Sequence, residues 1–330
     1  MSKVKVALIG AGGMANTVHY PSLTTMDDVE ITGLCDLNEQ RLKETAAKFK
    51  IGKTFTDWRK MLDETKPAAV YVLMPPHHLF DIAMEALERG HHLFIEKPPA
   101  VTTFQADCLA RMAEKKKLIS GVGFQRRYHP LVRRCWEEVK KKGPVHQVNS
   151  CFYKDLPPQD KHPYYGGAID ILHCDAIHAV DSLRYYAGLS EVKAVASEVR
   201  TIDSWYAVSF NSLVYFENDC VGILQANWRT GRRFFKFELH APDASAYLDI
   251  DGEGVVWTDN GAEPTLKLTN TEAAQSQEFH VFQGFFAQSR AFIDAVASGK
   301  PLHNDLRDSV KSMELVDLIY QNAINKKCCR

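Results

Sequence analysis

Val4-Lys5-Val6-Ala7-Leu8-Ile9, running into Gly10-Ala11-Gly12-Gly13-Met14-Ala15, is the stretch that decides the fold. The first six residues read as a buried strand, and a glycine turn follows without a spacer before a helical pattern begins near Ala15. In a strand–turn–helix unit of this kind Gly10 permits the tight turn and Gly12 lets backbone approach a pyrophosphate. Small Ala15 allows close helix–strand packing, and the helix N-terminus favours phosphate charge. A glycine corner alone requires no ligand. Its place between a buried strand and a helix is what makes Gly10, Gly12, Gly13, Met14 and Ala15 candidate dinucleotide contacts.

Outward from this stretch, apolar runs alternate with amphipathic patterns up to about residue 122. Strands are expected at Val4–Ile9, Val29–Cys35, Ala69–Leu73, His92–Ile95 and Leu118–Val122. Helices are expected at Ala15–Leu23, Glu39–Phe49, Trp58–Glu64, Leu79–Arg89 and Thr103–Lys116. Continuous apolar strands separated by helices imply a doubly wound parallel sheet, whose ligands lie beyond the carboxyl ends of its strands. Asp36 closes the second strand, where a carboxylate accepts hydrogen bonds from adenosine ribose hydroxyls and repels the extra phosphate of NADP. The expected cofactor is therefore NAD rather than NADP, with Arg41 as the nearby residue that argues the other way. Asp36 is also placed to N-cap the following helix.

After residue 122 the pattern changes to period-two strands: Val145–Tyr153, Val192–Val199, Tyr206–Phe216, Cys220–Trp228, Phe234–His240 and Ala246–Ile250. Helices are expected at Leu131–Lys142, Ile169–Tyr186, Gln283–Ala297 and Arg307–Asn325. The expected division is a nucleotide-binding domain over 1–122 and an α+β domain over 123–330 with a large open, mostly antiparallel sheet. The terminal helices are expected to return to the first domain.

Two further segments carry chemistry. Leu93-Phe94-Ile95 runs into Glu96-Lys97-Pro98-Pro99, which sets a lysine at the carboxyl end of a buried strand with its backbone fixed by the following proline. An ammonium there can polarise a substrate oxygen during hydride transfer. In Tyr164–Asp181, a helix would make Asp175 and His178 neighbours three residues apart, and likewise His178 and Asp181. A carboxylate beside an imidazole raises its basicity, which suits a proton acceptor near neutral pH. The same polar groups would also serve to cap and brace a buried helix. Asp170, His173, Asp175 and His178 further allow a metal reading, but nothing else in the chain supports one, and no metal is expected.

Gly10–Ala15, Glu96-Lys97-Pro98, Gly123-Phe124-Gln125-Arg126-Arg127-Tyr128 and His178-Ala179-Val180-Asp181 occur in the order seen in the Gfo/Idh/MocA oxidoreductases, and the chain resembles that family over nearly its whole length. The resemblance implies a Rossmann domain followed by a substrate domain whose open sheet forms a dimer or tetramer contact. It also implies hydride transfer between NAD and a secondary alcohol or ketone of a sugar, polyol or sugar derivative. Lys97 would match the active-site lysine and His178 the active-site histidine. Pro75 and Pro76 would line the nicotinamide end with His77 or His78 facing it, and Glu96 and Gln125 would complete the cofactor site. Cys174 stands where the family places an aspartate, leaving Asp175 or Asp170 as its replacement. Tyr164, Arg126 and Arg127 are candidates for holding substrate hydroxyls or a carboxylate. The rival expectations are a non-catalytic NAD-binding sensor of the same fold, or a lyase or glycosidase that oxidises transiently and recycles its cofactor.

Bulk properties agree with these expectations. In 330 residues with a formal charge of −1 there is no basic footprint for nucleic acid or a membrane surface, and no apolar run long enough to span a bilayer. Eight cysteines without C-x-x-C spacing read as reduced thiols of a cytoplasmic protein, with Cys328-Cys329 oxidation-prone at a frayed terminus.

Overall fold

In β1 (Val4–Ile9) the last four residues are buried, as its apolar run requires. The computed structural model describes residues 3–155 and 161–324. Beyond β1 the chain passes a π-helical stretch (Ala15–His19) into α1 (Tyr20–Thr24), β2 (Val29–Cys35), α2 (Glu39–Phe49), β3 (Thr54–Phe55), α3 (Trp58–Thr65), β4 (Ala69–Val72), α4 (Pro76–Glu88), β5 (His92–Ile95), α5 (Thr103–Lys116) and β6 (Ser120–Val122). A 3-10 turn (Gln125–Tyr128) leads to α6 (Pro130–Lys140), β7 (Gln147–Asp155), α7 (Ile171–Cys174) and α8 (Ile177–Tyr186). Then come β8 (Val192–Arg200), β9 (Ser209–Phe216), β10 (Val221–Asn227), β11 (Arg229–Ala241), β12 (Ala244–Asp249), β13 (Glu253–Thr258) and β14 (Leu266–Thr269). The last helices are α9 (Asn270–Ala274), α10 (Phe279–Phe282), α11 (Phe285–Ser298) and α12 (Leu306–Gln321). The chain forms two compact units, Met1–Gln125 with Glu278–Val310 and Arg126–Gln277 with Lys311–Arg330.

The first unit is a Rossmann sheet, all parallel, in the order β3-β2-β1-β4-β5-β6. β4 is buried along its whole length because helices cover both faces. Side-chain caps start three of those helices: Asn38 for α2, Asp57 for α3 and Thr102 for α5. The Glu278–Val310 segment belongs here because it covers the edge of β6. Val122 donates to the Asn304 carbonyl, and its own carbonyl accepts from the Gln288 and Asn304 amides. Phe292 of α11 stands edge-on to the stacked Tyr71–Phe94 pair, 5.4 Å from each ring. A Cβ at Gly121 would meet Phe292 at 3.1 Å, so glycine permits that approach.

The second unit is an eight-stranded sheet in the order β14-β13-β12-β11-β7-β10-β9-β8, antiparallel except for the parallel pair β7–β10. β9 alternates buried and exposed residues, as an open sheet with one covered face demands. Every residue of α8 is buried, and its Leu183 packs onto Gly222 of β10, where a Cβ would come within 2.8 Å.

Three sequence expectations need correction. The single helix over Ile169–Tyr186 is broken at Asp175–Ala176 into α7 and α8. β13 and β14 were not expected: the first is broken by Gly254 and the second is a four-residue edge strand, both too weakly patterned to read. The two-residue β3 is likewise too short to signal itself. The expected helix end at Asn325 and the Cys328-Cys329 pair lie outside the described residues. Among the described residues, Cys35, Cys108, Cys135, Cys151, Cys174 and Cys220 are in no disulfide. Among the described residues no helix is long and apolar enough to cross a membrane.

Candidate active site

The glycine turn is fixed by backbone contacts. Gly10 has φ +112°, and a Cβ there would lie 2.5 Å from the Leu73 carbonyl oxygen, so no other residue fits. Its N–H donates to the Cys35 carbonyl, and its carbonyl accepts from the Tyr20 hydroxyl at 2.9 Å. The Asn16 side chain donates to the carbonyls of Ala11 and Gly12. Gly12 and Gly13 differ from Gly10: a Cβ on either would meet no protein atom within 4 Å. The protein therefore makes no demand for glycine there, whereas a pyrophosphate lying against the backbone would.

Asp36 is tied to this turn. Its carboxylate accepts the Ala11 N–H at 2.7 Å and the Asn38 N–H at 2.8 Å, and Arg41 stands 3.9 Å away. The N-cap of α2 is Asn38, not Asp36. Asp36 thus lies at the end of β2 beside the glycine turn, as a ribose acceptor must. At the start of α4, Pro75 is the N-cap residue and Pro76 is buried, while exposed His77 has its ring 3.9 Å from that of His78.

Lys97 stands two residues past the end of β5, after Glu96, with a cis peptide to Pro98. Its backbone N–H donates to the Glu96 carboxylate at 3.2 Å, and the other Glu96 oxygen meets His19 Nε2 at 2.6 Å. A Cβ on Gly123 would come within 3.0 Å of the same carboxylate. His19 is a residue the sequence did not single out. It is buried at the end of the π-helical stretch, edge-on to Tyr71, Phe94 and Phe285. A turn of π-helix often marks a functional position, but nothing in the sequence pattern announces one. Gln125 is buried at the start of its 3-10 turn.

In the second unit the two candidate replacements for the family aspartate have different fates. Asp170 caps α7 and is saturated by local bonds: the N–H groups of Leu172 and His173, the His173 ring at 2.5 Å and the Tyr320 hydroxyl at 2.8 Å. His173 also faces Asp317 at 3.3 Å. Burial opposes a charge on this ring, but the hydrogen bonds to Asp170 and Asp317 outweigh it and raise His173 to about 9. Both residues form a brace to α12, so neither suits the metal reading. Asp175 instead sits at the helix break, where it accepts the Tyr164 hydroxyl at 2.6 Å and pairs with Lys154. Trp228 donates to the Tyr164 oxygen at 3.0 Å. Burial and then the Asp175 charge push the Tyr164 phenol well above its usual range, so it is a proton donor to that carboxylate. Lys154 and Trp228, from β7 and the end of β10, were not read from the sequence because only the tertiary fold joins them to Asp175.

His178 lies buried in the first turn of α8, its N–H donating to the Asp175 carbonyl at 3.3 Å. Asp181, one turn on, takes no sequence-expected role. It is fully buried and binds Arg127 through both oxygens, at 2.8 and 2.5 Å, with the Ser312 hydroxyl as a further donor. Arg127 is equally buried, over the Tyr185 ring. The expectation that Arg127 holds substrate is therefore corrected: its fork is spent on an internal carboxylate. Arg126 is also buried, but its guanidinium lies over Phe235.

The sequence and the fold both have relatives among known proteins. Residues 4–124 match the Gfo/Idh/MocA sequence model, described as an oxidoreductase family with an NAD-binding Rossmann fold. The D-glucoside 3-dehydrogenase of Escherichia coli is 29% identical over 203 residues, which is 59% of this chain and 57% of that enzyme. The myo-inositol 2-dehydrogenase of Thermotoga maritima is 22% identical over 312 residues, 90% of each chain. A crystal structure of a dehydrogenase from Chromobacterium violaceum superposes with a TM-score of 0.88 at 20% identity, covering 99% of this chain and 97% of the other.

Proposed function

We propose that this chain, whose residues 4–124 match the Gfo/Idh/MocA oxidoreductase family, is an NAD-dependent dehydrogenase acting on a secondary alcohol or ketone of a sugar, polyol or sugar derivative. The observation that carries the reading is the glycine turn tied to Asp36. It pairs a backbone surface open at Gly12 and Gly13 with a carboxylate suited to a ribose and hostile to a second phosphate.

When bound, NAD supplies the hydride acceptor. Gly10 through Ala15 would hold its pyrophosphate, Asp36 its adenosine ribose, and Pro75, Pro76, His77, Glu96 and Gln125 the remainder. In this reading Lys97 polarises the substrate oxygen and His178 receives the hydroxyl proton. Glu96, itself held by His19, fixes the Lys97 backbone. Asp175 orients the substrate side with Tyr164 and Lys154. The relatives above are dehydrogenases, which favours turnover over the sensor and lyase readings. Exposed Leu213, Tyr215, Tyr247 and Trp257 support an expected homodimer or homotetramer through the large sheet.

Incubation with NAD and a panel of sugars and polyols, followed by absorbance at the NADH band, tests the proposal. Reduction of NAD with at least one compound is expected. NAD binding with no turnover across the panel, in either direction, would overturn it in favour of a sensor.

A further inference from the structure

Three cations in the second unit converge on one aromatic floor. Phe152 of β7 and Phe235 of β11 stack at 4.2 Å and 7°, and Trp228 stands edge-on to Phe152 at 5.0 Å. Lys154 Nζ lies 5.3 Å from the Phe152 ring centre and 5.7 Å from that of Trp228. The Arg233 guanidinium is 5.8 Å from Phe152, and that of Arg126 is 5.5 Å from Phe235. Lys154 and Phe152 share a face of β7 by the period-two rule, and Arg233 reaches the same floor from the stretch of β11 where its register with β7 shifts.

The acids nearby are placed unevenly. Asp251 pairs with Arg233, and Asp249 acts on the same guanidinium. Asp175 is the carboxylate among the three cations, where it takes Lys154 and the Tyr164 hydroxyl. Arg126 is buried while Arg233 and Lys154 are partly exposed, and a buried charge is costly unless something of opposite sign joins it. Burial, then the neighbouring Arg233, lowers Arg126 to about 9. A bound anion would stabilise the charged guanidinium and so offset both effects. A guanidinium stacked on a ring keeps its edge donors in the plane, the arrangement that takes two oxygens at once.

We infer that this floor is a subsite for an anionic substituent of the carbohydrate substrate, a carboxylate or a phosphate, received by Arg126 and Lys154. The inference rests on the dehydrogenase reading above and narrows its substrate class. Tyr164 and Asp175 then serve the neutral hydroxyls on the same sugar, with buried Trp228 holding the Tyr164 oxygen.

Calorimetric binding to the NADH-loaded protein tests it with matched sets: glucose, glucuronate and glucose 6-phosphate, and the galacto and manno equivalents. In at least one set an anionic member is expected to bind ten-fold or more tightly than its neutral parent, uronate and phosphate arms showing which anion fits. Arg126→Gln should abolish the preference, and Arg233→Gln should reduce it several-fold with neutral-sugar affinity unchanged. Equal or weaker binding of every anion, no binding by any member, or a preference intact in both variants would overturn the subsite. Turnover is read separately: anion-selective binding with no oxidation of any compound would keep the subsite and defeat the dehydrogenase reading.

Discussion

The glycine turn of the first unit and the helix break of the second are built by opposite means. The turn is local: Gly10 is held by its N–H to the Cys35 carbonyl of the adjacent strand, and Ala11 and Gly12 by the neighbouring Asp36 and Asn16 side chains. The break is assembled from afar, since Asp175 meets Lys154 from β7, Tyr164 and, through that hydroxyl, Trp228. A site made by backbone tolerates almost no change at its special conformations but needs few particular side chains. A site made by side chains depends on the charges being matched. Beneath the second lies the buried Arg127–Asp181 pair, which holds the 3-10 turn to α8.

The largest effect should come from that pair. Arg127→Met leaves Asp181 buried without its cation and should cost about 3–5 kcal/mol in denaturant unfolding. A cost below about 1 kcal/mol would show that water reaches the pair. Gly10→Ala should cost about 3 kcal/mol, because its φ of +112° and the Leu73 carbonyl both exclude a Cβ. Both predictions are read as stability, and together they ask whether the backbone-built and side-chain-built sites are comparably rigid.

The next contrast is in pH. The folded His173 is raised to about 9 from 6.5, so its bonds to Asp170 and Asp317 contribute fully below pH 6.5 and are lost as pH rises through about 9. The unfolding free energy should fall across that window by about 3 kcal/mol, and His173→Gln should flatten the slope. An unchanged slope in the variant would assign the transition to another group. The smallest effect should come at Gly12. Gly12→Ala meets no protein atom, so stability without NAD should be unchanged while NAD affinity falls about ten-fold, or 1.4 kcal/mol. A stability loss equal to that of Gly10→Ala would show that the two glycines are not different in kind.

The difference between the regions also decides what could be read from sequence. β1, β2, β5 and α2 keep the bounds their patterns predict, and the order of elements gives the Rossmann sheet, because hydrophobic period and cap residues are local signals. Asp36 was legible for the same reason: it ends a strand at a known offset from the glycine turn. His19 was not, because its partner Glu96 is far along the chain and only the extra width of the π-helical stretch announces it. The helix break at Asp175 was hidden by unbroken apolar periodicity on both sides, with neither proline nor glycine to mark it. Asp181 and Arg127 were each noticed as charges available for function. Their mutual neutralisation is a property of packing, and a buried charge carries no mark of its partner in one sequence.

The central claim is that Lys97 acts on the substrate while the glycine turn and Asp36 hold the cofactor. Steady-state kinetics of Lys97→Met on the best substrate of the panel, alongside NAD titration of the same variant, tests it most directly. The account predicts a kcat lower by two to four orders of magnitude, typical of losing a positioned polar catalyst, with NAD affinity within about two-fold of the unaltered protein. A kcat within a few-fold of the unaltered protein would contradict it.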